Sequence, residues 1–240
     1  MMKKLVFTLI ICGLGYSSFA QEREKAPGDS IPWELRKQAF IYNTAKIFND
    51  ATVQRVALYN LMAENPGNVA LYDSLALIYL QYNQNASAAL VAQQALEINP
   101  NDMFAVEIAA MGLDKLGAKD RSLTYYEKLY LNNGDINTLY KISFMQYELN
   151  RFAEANTSLD IIIGNPESKE VEIGFPTANG QGQSVTLEVA AHRVKAMIEE
   201  AKGNTEEAKA KYLEVLEKKP GFEIVQQQLR NLTKPEAGGE

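Results

Sequence analysis

Turn-forming residues recur along this chain at a nearly constant interval. Asn65-Pro66 and Asn99-Pro100 stand 34 residues apart, Asn133-Gly134 follows 34 later, and Asn165-Pro166 follows 32 after that. The next comparable break, Pro220, comes 54 residues beyond Pro166, which is one 34-residue interval and 20 residues more. Proline lacks the N–H that would continue a helical hydrogen-bond ladder, so each proline site ends a helix, and Gly134 replaces the proline at the third. A fixed period of this length marks an array of like units, each too small to bury a core alone and each supported by its neighbours. An array of this kind is suited to binding, and nothing in its period names the partner.

Residues 69–102 carry the clearest unit. Tyr72, Leu75, Ala76 and Tyr79 fall at i, i+3, i+4 and i+7, one face of a helix. Asn83 follows, a residue able to take the left-handed conformation that ends a helix. Ala88, Ala92, Ala95 and Leu96 mark a second helix, whose small side chains let an antiparallel neighbour approach closely. This unit resembles a tetratricopeptide repeat (TPR), with its aromatic, Leu, small and Tyr positions in the first helix and Ala, Ala and Pro in the second.

Four further units are similar in the same register. Residues 35–68 supply Ile41, Tyr42, Ala45, Leu58 and Leu61, with Gln54 where a small residue is expected. Residues 103–135 supply Ala109, Ala110, Leu113, the turn Leu116-Gly117, Ser122, Tyr126 and Leu129. Residues 136–168 supply Ile142, Ser143, Phe144 and the turn Leu149-Asn150-Arg151. Residues 189–222 supply Ala196, the turn Lys202-Gly203-Asn204, Ala208, Tyr212 and Leu216, with Lys195 and Glu199 at positions that are normally apolar. A last helix over 223–232, with Ile224, Val225, Leu229 and Leu232, resembles the helix that caps TPR arrays. Residues 233–240 read as a disordered tail.

The extra residues before the fifth unit have a different period. Val171, Ile173 and Phe175 alternate with Glu172 and Gly174, and Val185, Leu187 and Val189 alternate with Thr186 and Glu188. The turn-rich 176–183 lies between them, so the insert at about 170–188 reads as a β-hairpin. Two strands alone are marginal in water, so their apolar face must rest on the array or on a partner. The expected fold is therefore all-α: a right-handed TPR superhelical solenoid over 31–222, with about five helix pairs, a capping helix and an inserted hairpin.

The chain starts Met1-Met2-Lys3-Lys4, continues through an apolar stretch at 5–15, and reaches small residues at Ser18 and Ala20 before Gln21. That order is the order of a secretory signal, expected over 1–20, with 21–30 as a flexible linker. The apolar stretch is shorter than the roughly 20 residues a membrane span needs. The sole cysteine, Cys12, would leave with the signal; Ile11 before it is bulky where a lipid-anchor signal has a small residue. A chain without thiols suits an oxidising compartment, and the expected location is periplasmic or outer-membrane-associated, soluble. The formal net charge of −6, or −8 without Lys3 and Lys4, argues against binding of nucleic acid, which a basic surface would drive.

The chain offers little for catalysis. His192 is the one histidine. No phosphate-cradling glycine motif, Gly-x-Ser-x-Gly or His-Glu-x-x-His occurs, so no catalytic, cofactor or metal residue is assigned and no enzyme is expected. The resemblance to TPR proteins implies instead a groove lined by the first helix of each unit. Its positions on this chain are Arg36, Asn43 and Lys46; Asp73, Leu77 and Leu80; Phe104, Glu107, Met111 and Asp114; Tyr140, Phe144 and Tyr147; and Arg193, Met197 and Glu200. The middle of this row is apolar and aromatic with acidic flanks, which suits an amphipathic helix or extended peptide of basic character. The expected function is a non-catalytic scaffold or adaptor in the cell envelope that holds a protein or peptide. The alternative is a holdase chaperone for envelope or secreted clients.

Overall fold

The computed structural model describes residues 31–178 and 180–233. The expected signal at 1–20 and linker at 21–30 lie outside the described residues, as does the expected tail at 233–240 apart from Thr233, which is the last residue of the final helix. Five helix pairs follow one another: α1 (Trp33–Ile47) with α2 (Ala51–Glu64), α3 (Val69–Gln81) with α4 (Asn85–Ile98), α5 (Met103–Lys115) with α6 (Lys119–Asn133), α7 (Ile136–Glu148) with α8 (Phe152–Gly164), and α9 (Leu187–Ala201) with α10 (Thr205–Lys218). An eleventh helix, α11 (Glu223–Thr233), ends the array. Each helix packs mainly on its neighbours in sequence, and the first helices α3 and α5, and α7 and α9, also lie side by side. This is a TPR solenoid.

One turn recurs inside every pair. Asn49, Asn83, Gly117, Asn150 and Gly203 all have positive φ, between 55° and 80°. The N–H of the next residue reaches back five positions each time: Asp50 to Ala45 O at 2.8 Å, Gln84 to Tyr79 O at 2.8 Å, Ala118 to Leu113 O at 2.9 Å, Arg151 to Gln146 O at 2.8 Å and Asn204 to Glu199 O at 2.9 Å. This bond satisfies a carbonyl that the helix end would leave orphaned, and Asn and Gly are the residues that reach the left-handed backbone at least cost. The next helix therefore leaves at the same angle in each unit. Helix starts are secured separately, with the Asp50, Asp102 and Asp135 carboxylates accepting from the first N–H groups of α2, α5 and α7.

The core is a series of small clusters strung along the array. Leu58, Leu75 and Ile78 fill the first, beside half-buried Tyr42. Ala88, Ala92 and Ala95 of α4 are fully buried against Ala105 and Ala109 of α5. The α4–α5 approach is close enough that a Cβ on Gly112 would stand 3.0 Å from the Asn85 carbonyl oxygen. Polar residues at core positions find partners within their own pair. Gln54 donates from Nε2 to Ala45 O at 3.3 Å, Ser122 donates to Ala110 O at 2.7 Å, and Ser158 donates to Gln146 Oε1 at 2.9 Å. Lys195 pairs with Asp160, and Glu199 accepts from Lys202 and Asn204, so both unusual residues of the fifth unit are satisfied.

The hairpin pairs β1 (Glu172–Phe175) with β2 (Gln183–Thr186), Ile173 opposite Val185 and Phe175 opposite Gln183. Its inward side chains, Ile173, Phe175 and Val185, rest on the clusters around α9 and α10. Phe175 meets Phe222 edge-on at 5.0 Å. Gln183 clamps the turn into α11, donating to Gly221 O at 2.6 Å and accepting from Glu223 N at 3.2 Å, while Ala178 N donates to Glu223 Oε2 at 3.0 Å. Leu187 and Val189, expected to continue the second strand, belong to α9. The Thr186 hydroxyl accepts from Val189 N at 3.5 Å, starting the helix where alternation alone suggested strand. The expected turn residue Asn179 lies outside the described residues.

Candidate binding surface

The sequence-derived groove positions fall into two groups with different surroundings. On α5, Phe104, Glu107, Met111 and Asp114 form one stripe at helical spacing. Phe104 is 42% exposed and Glu107 is exposed, while Met111 and Asp114 are half-buried. Asp114 is paired with Lys141 of α7 at 2.7 Å, so among the described residues Glu107 carries the acidic charge of this stripe that has no ion-pair partner. On α3, Leu77 is half-buried and Leu80 is buried in the cluster with Ala105 and Ile108.

Asp73 stands one turn before Leu77, facing Asp102 across to α5. Burial first, then the charge of Asp102 and a hydrogen bond to it, raise its carboxyl to about 6. Its Oδ1 is buried and accepts no hydrogen bond from the described residues. Asp102 itself is occupied by the N–H groups of Phe104 and Ala105 at 3.0 and 3.2 Å.

Next to this stripe, a cleft of about 300 Å³ opens between the first two units. It brings together Lys46 and Leu77, both expected in the groove, with Tyr42, Asn49, Ser74 and Gln81. Sequence analysis did not assign the last three. Their signal was present: Tyr42, Lys46 and Asn49 follow at i, i+4 and i+7, as do Ser74, Leu77 and Gln81 at i, i+3 and i+7. Arg36 and Asn43 are exposed on α1 and do not line this cleft.

The second group is packed within the chain. Tyr140, Phe144 and Tyr147 of α7 are partly buried against the two clusters that join α7, α8, α9, α10 and α11, and Phe144 lies 5.9 Å from Tyr147 between ring centroids. Arg193 and Met197 of α9 are buried. The Arg193 guanidinium lies over the Phe175 ring at 5.4 Å and donates from Nε to Gln228 Oε1 of α11 at 2.8 Å. Gln228 in turn donates to the Tyr212 hydroxyl at 3.0 Å, and that hydroxyl donates to Glu200 at 2.5 Å. The Tyr140 phenol is raised to about 12 by burial, with Arg193 pulling the other way. Burial also pushes the Tyr212 phenol up, reinforced by Glu200, so both phenols stay protonated donors at neutral pH. These groups form a satisfied polar network under the hairpin and α11.

His192 is half-buried, and burial, then the positive charge of Lys218, hold its imidazole below the ordinary value. Among the described residues no group of three His, Cys, Asp or Glu side chains converges in a way that could hold a metal ion, and no helix is long and apolar enough to cross a membrane.

No protein-family model matches the sequence, and a search of curated proteins returns no match either. Solved structures do match in fold. A tetratricopeptide repeat protein from Parabacteroides merdae ATCC 43184 aligns over 84% of this chain and 73% of its own, at 18% identity and a TM-score of 0.60. YrrB, described as a TPR protein with an unusual peptide-binding site, aligns over 79% of this chain and 88% of its own, at 12% identity and a TM-score of 0.61. MamA aligns over 84% of this chain and 97% of its own, at 12% identity and a TM-score of 0.57. The chain therefore has the TPR fold.

Proposed function

We propose that this protein is a non-catalytic scaffold in the cell envelope that holds a basic peptide or amphipathic helix along the first three units. The observation that carries the proposal is the contrast between the two groups of groove residues. Phe104 and Glu107 are exposed on α5 and half-buried Leu77 lines a cleft, whereas Tyr140, Phe144 and Tyr147 of α7 and Arg193 and Met197 of α9 are packed under the hairpin and α11. The open part offers apolar side chains for anchoring and, in Glu107, a free carboxylate for a cationic neighbour. YrrB is a TPR protein of like fold with a peptide-binding site, which supports a peptide as the class of ligand. Export rests on the basic, apolar and small-residue order of 1–20.

The test uses fluorescence anisotropy with labelled amphipathic peptides of matched apolar content and opposite charge. The basic peptides are expected to bind, with Glu107→Lys weakening them at least tenfold and the effect shrinking in high salt. Equal binding of acidic and basic peptides, unaffected by Glu107→Lys, would overturn the assignment of the groove. Indifferent capture of many unfolded chains would favour the holdase reading.

A further inference from the structure

We propose that the cleft between the first two units holds the carboxylate of an acidic side chain, an inference that rests on the peptide-binding reading above. The repeat itself shows what is missing there. The five positive-φ turn residues put the units in register. In that register the residue three places before one turn faces, across the joint between units, the residue nine places before the next. At the second joint the pair is Leu80 and Ile108, both buried in one cluster. At the third it is Asp114 and Lys141, an ion pair at 2.7 Å. At the fourth it is Tyr147, packed against the cluster that contains buried Val194. At the first joint the pair is Lys46 and Ser74, and these line an open cleft of about 300 Å³. Apolar contacts or an ion pair close the other joints. The first has a cation on one side and only a short hydroxyl side chain on the other.

The lining selects the ligand. Lys46 has no ion-pair partner among the described residues, and no Asp or Glu lines the cleft. Tyr42, Asn49 and Gln81 add a phenol and two amides, all able to donate a hydrogen bond. The Ser74 hydroxyl already donates to Ala70 O at 2.8 Å. Donors grouped around one positive charge fit a group with one negative charge and several lone pairs, and charge-assisted bonds to it are the stronger kind. A phosphate dianion would find no second cation here. Leu77 and Ile78 supply an apolar wall for the methylenes that carry the carboxylate of Glu or Asp. The held segment is then bipolar. Lys46 on α1 and Glu107 on α5 lie two first helices apart, roughly 20 Å at about 8–10 Å per helix spacing and about 1.5 Å per residue along the axis. The acidic residue of the segment therefore stands about six residues from its basic ones in an extended chain, or about thirteen in a helix.

The experiment is fluorescence anisotropy with the chain from Gln21 onward and basic, C-terminally amidated peptides that carry one Glu at either spacing, each beside its Gln analogue. The Glu peptide of one spacing is expected to bind about fivefold or more tighter than its analogue. Lys46→Gln should erase that difference and leave the affinity of the Gln analogue unchanged, and Lys46→Glu should reverse it. Lys46 is exposed, so both variants should melt like the parent. Ser74→Ile, which copies Ile108 of the next unit, should also erase the difference by filling the cleft, without lowering the melting temperature. Residues 21–30 of the chain include carboxylates of their own, Glu22, Glu24 and Asp29. A second arm neutralises them as Glu22→Gln, Glu24→Gln and Asp29→Asn. A Glu preference that emerges only then would identify the bound carboxylate as one that the chain itself supplies. Glu and Gln peptides bound alike by both proteins, or a preference that survives Lys46→Gln, would overturn the proposal. The Gln analogue keeps its basic residues, so its response to Glu107→Lys reports separately on the groove. No binding by any of the peptides would remove the groove and this site together.

Discussion

Arg193 and Phe175 are stacked, guanidinium over ring at 5.4 Å, and the same ring meets Phe222 edge-on at 5.0 Å. One strand residue thus touches both α9 and the turn that opens α11. Phe175→Ala removes both contacts and uncovers a guanidinium that the fold keeps largely from water. Phe175 is itself only half-buried, so a loss of about 2 kcal/mol is expected, below the 3–5 typical of a fully buried Phe. The urea midpoint reports it. An unshifted midpoint would mean that the hairpin contributes nothing to the array.

Removal of 223–240 should cost more than the burial of α11 alone suggests. Val225 is fully buried and Ile224, Leu229 and Leu232 are partly so, which gives a loss on the order of 3 kcal/mol. Gln228 leaves as well, and with it the acceptor for Arg193 and the donor to Tyr212. Glu223, which holds the hairpin through Ala178 and Gln183, is also lost. The expected result is a lower urea midpoint with poorer solubility. A truncated chain with an unchanged midpoint would show that α11 does not close the solenoid.

The Asp73 carboxyl titrates near 6 in the folded chain, above its ordinary value of 3.8, because it is partly buried and faces Asp102. Between these values the folded state binds the proton more tightly than the unfolded state does. This contribution to stability is fully present below about pH 4 and is lost as pH rises through 6. Asp73→Asn removes the titration while keeping the shape. The variant should therefore gain on the parent as pH rises from 4 to 7, read as the difference between their melting temperatures. A difference independent of pH would mean that Asp73 is not held in this environment.

Much of this fold was legible because the units repeat their punctuation. Asn83 is readable from the sequence as a residue that takes the left-handed backbone, and it does; Gly117, Asn150 and Gly203, legible only as parts of turns, adopt it too. Pairing within the hairpin was equally visible in the alternation around Ile173 and Val185. The boundary at Leu187 was not, since one threonine hydroxyl decides it against the apolar alternation. Contacts made across long separations left no local trace. Phe175 and Phe222 are both plain aromatics in sequence, and Gln228 reads as the polar face of a cap until it is seen bonded to Arg193. Buried Gln54 is hidden for a related reason: its partner is the backbone carbonyl of Ala45, and side-chain patterns carry no record of backbone partners.

The two groups of groove residues should separate in a paired measurement of stability and binding. Phe104 is exposed on α5, so Phe104→Ala should change stability by no more than about 0.5 kcal/mol. If the basic peptide anchors there, the same change should weaken its capture at least tenfold. Tyr140 and Phe144 sit at equivalent places on α7, but they pack against both C-terminal clusters beside Arg193 and under α11. Tyr140→Ala with Phe144→Ala should therefore lower the melting temperature clearly, at a cost of several kcal/mol for two large, partly buried rings. Any loss of binding in that variant would follow from the loosened fold, and Phe104→Ala supplies the control that distinguishes the two effects. A double variant of α7 that melts like the parent yet fails to bind would move the groove to the fourth unit. A Phe104 variant that binds with full affinity would remove α5 from it.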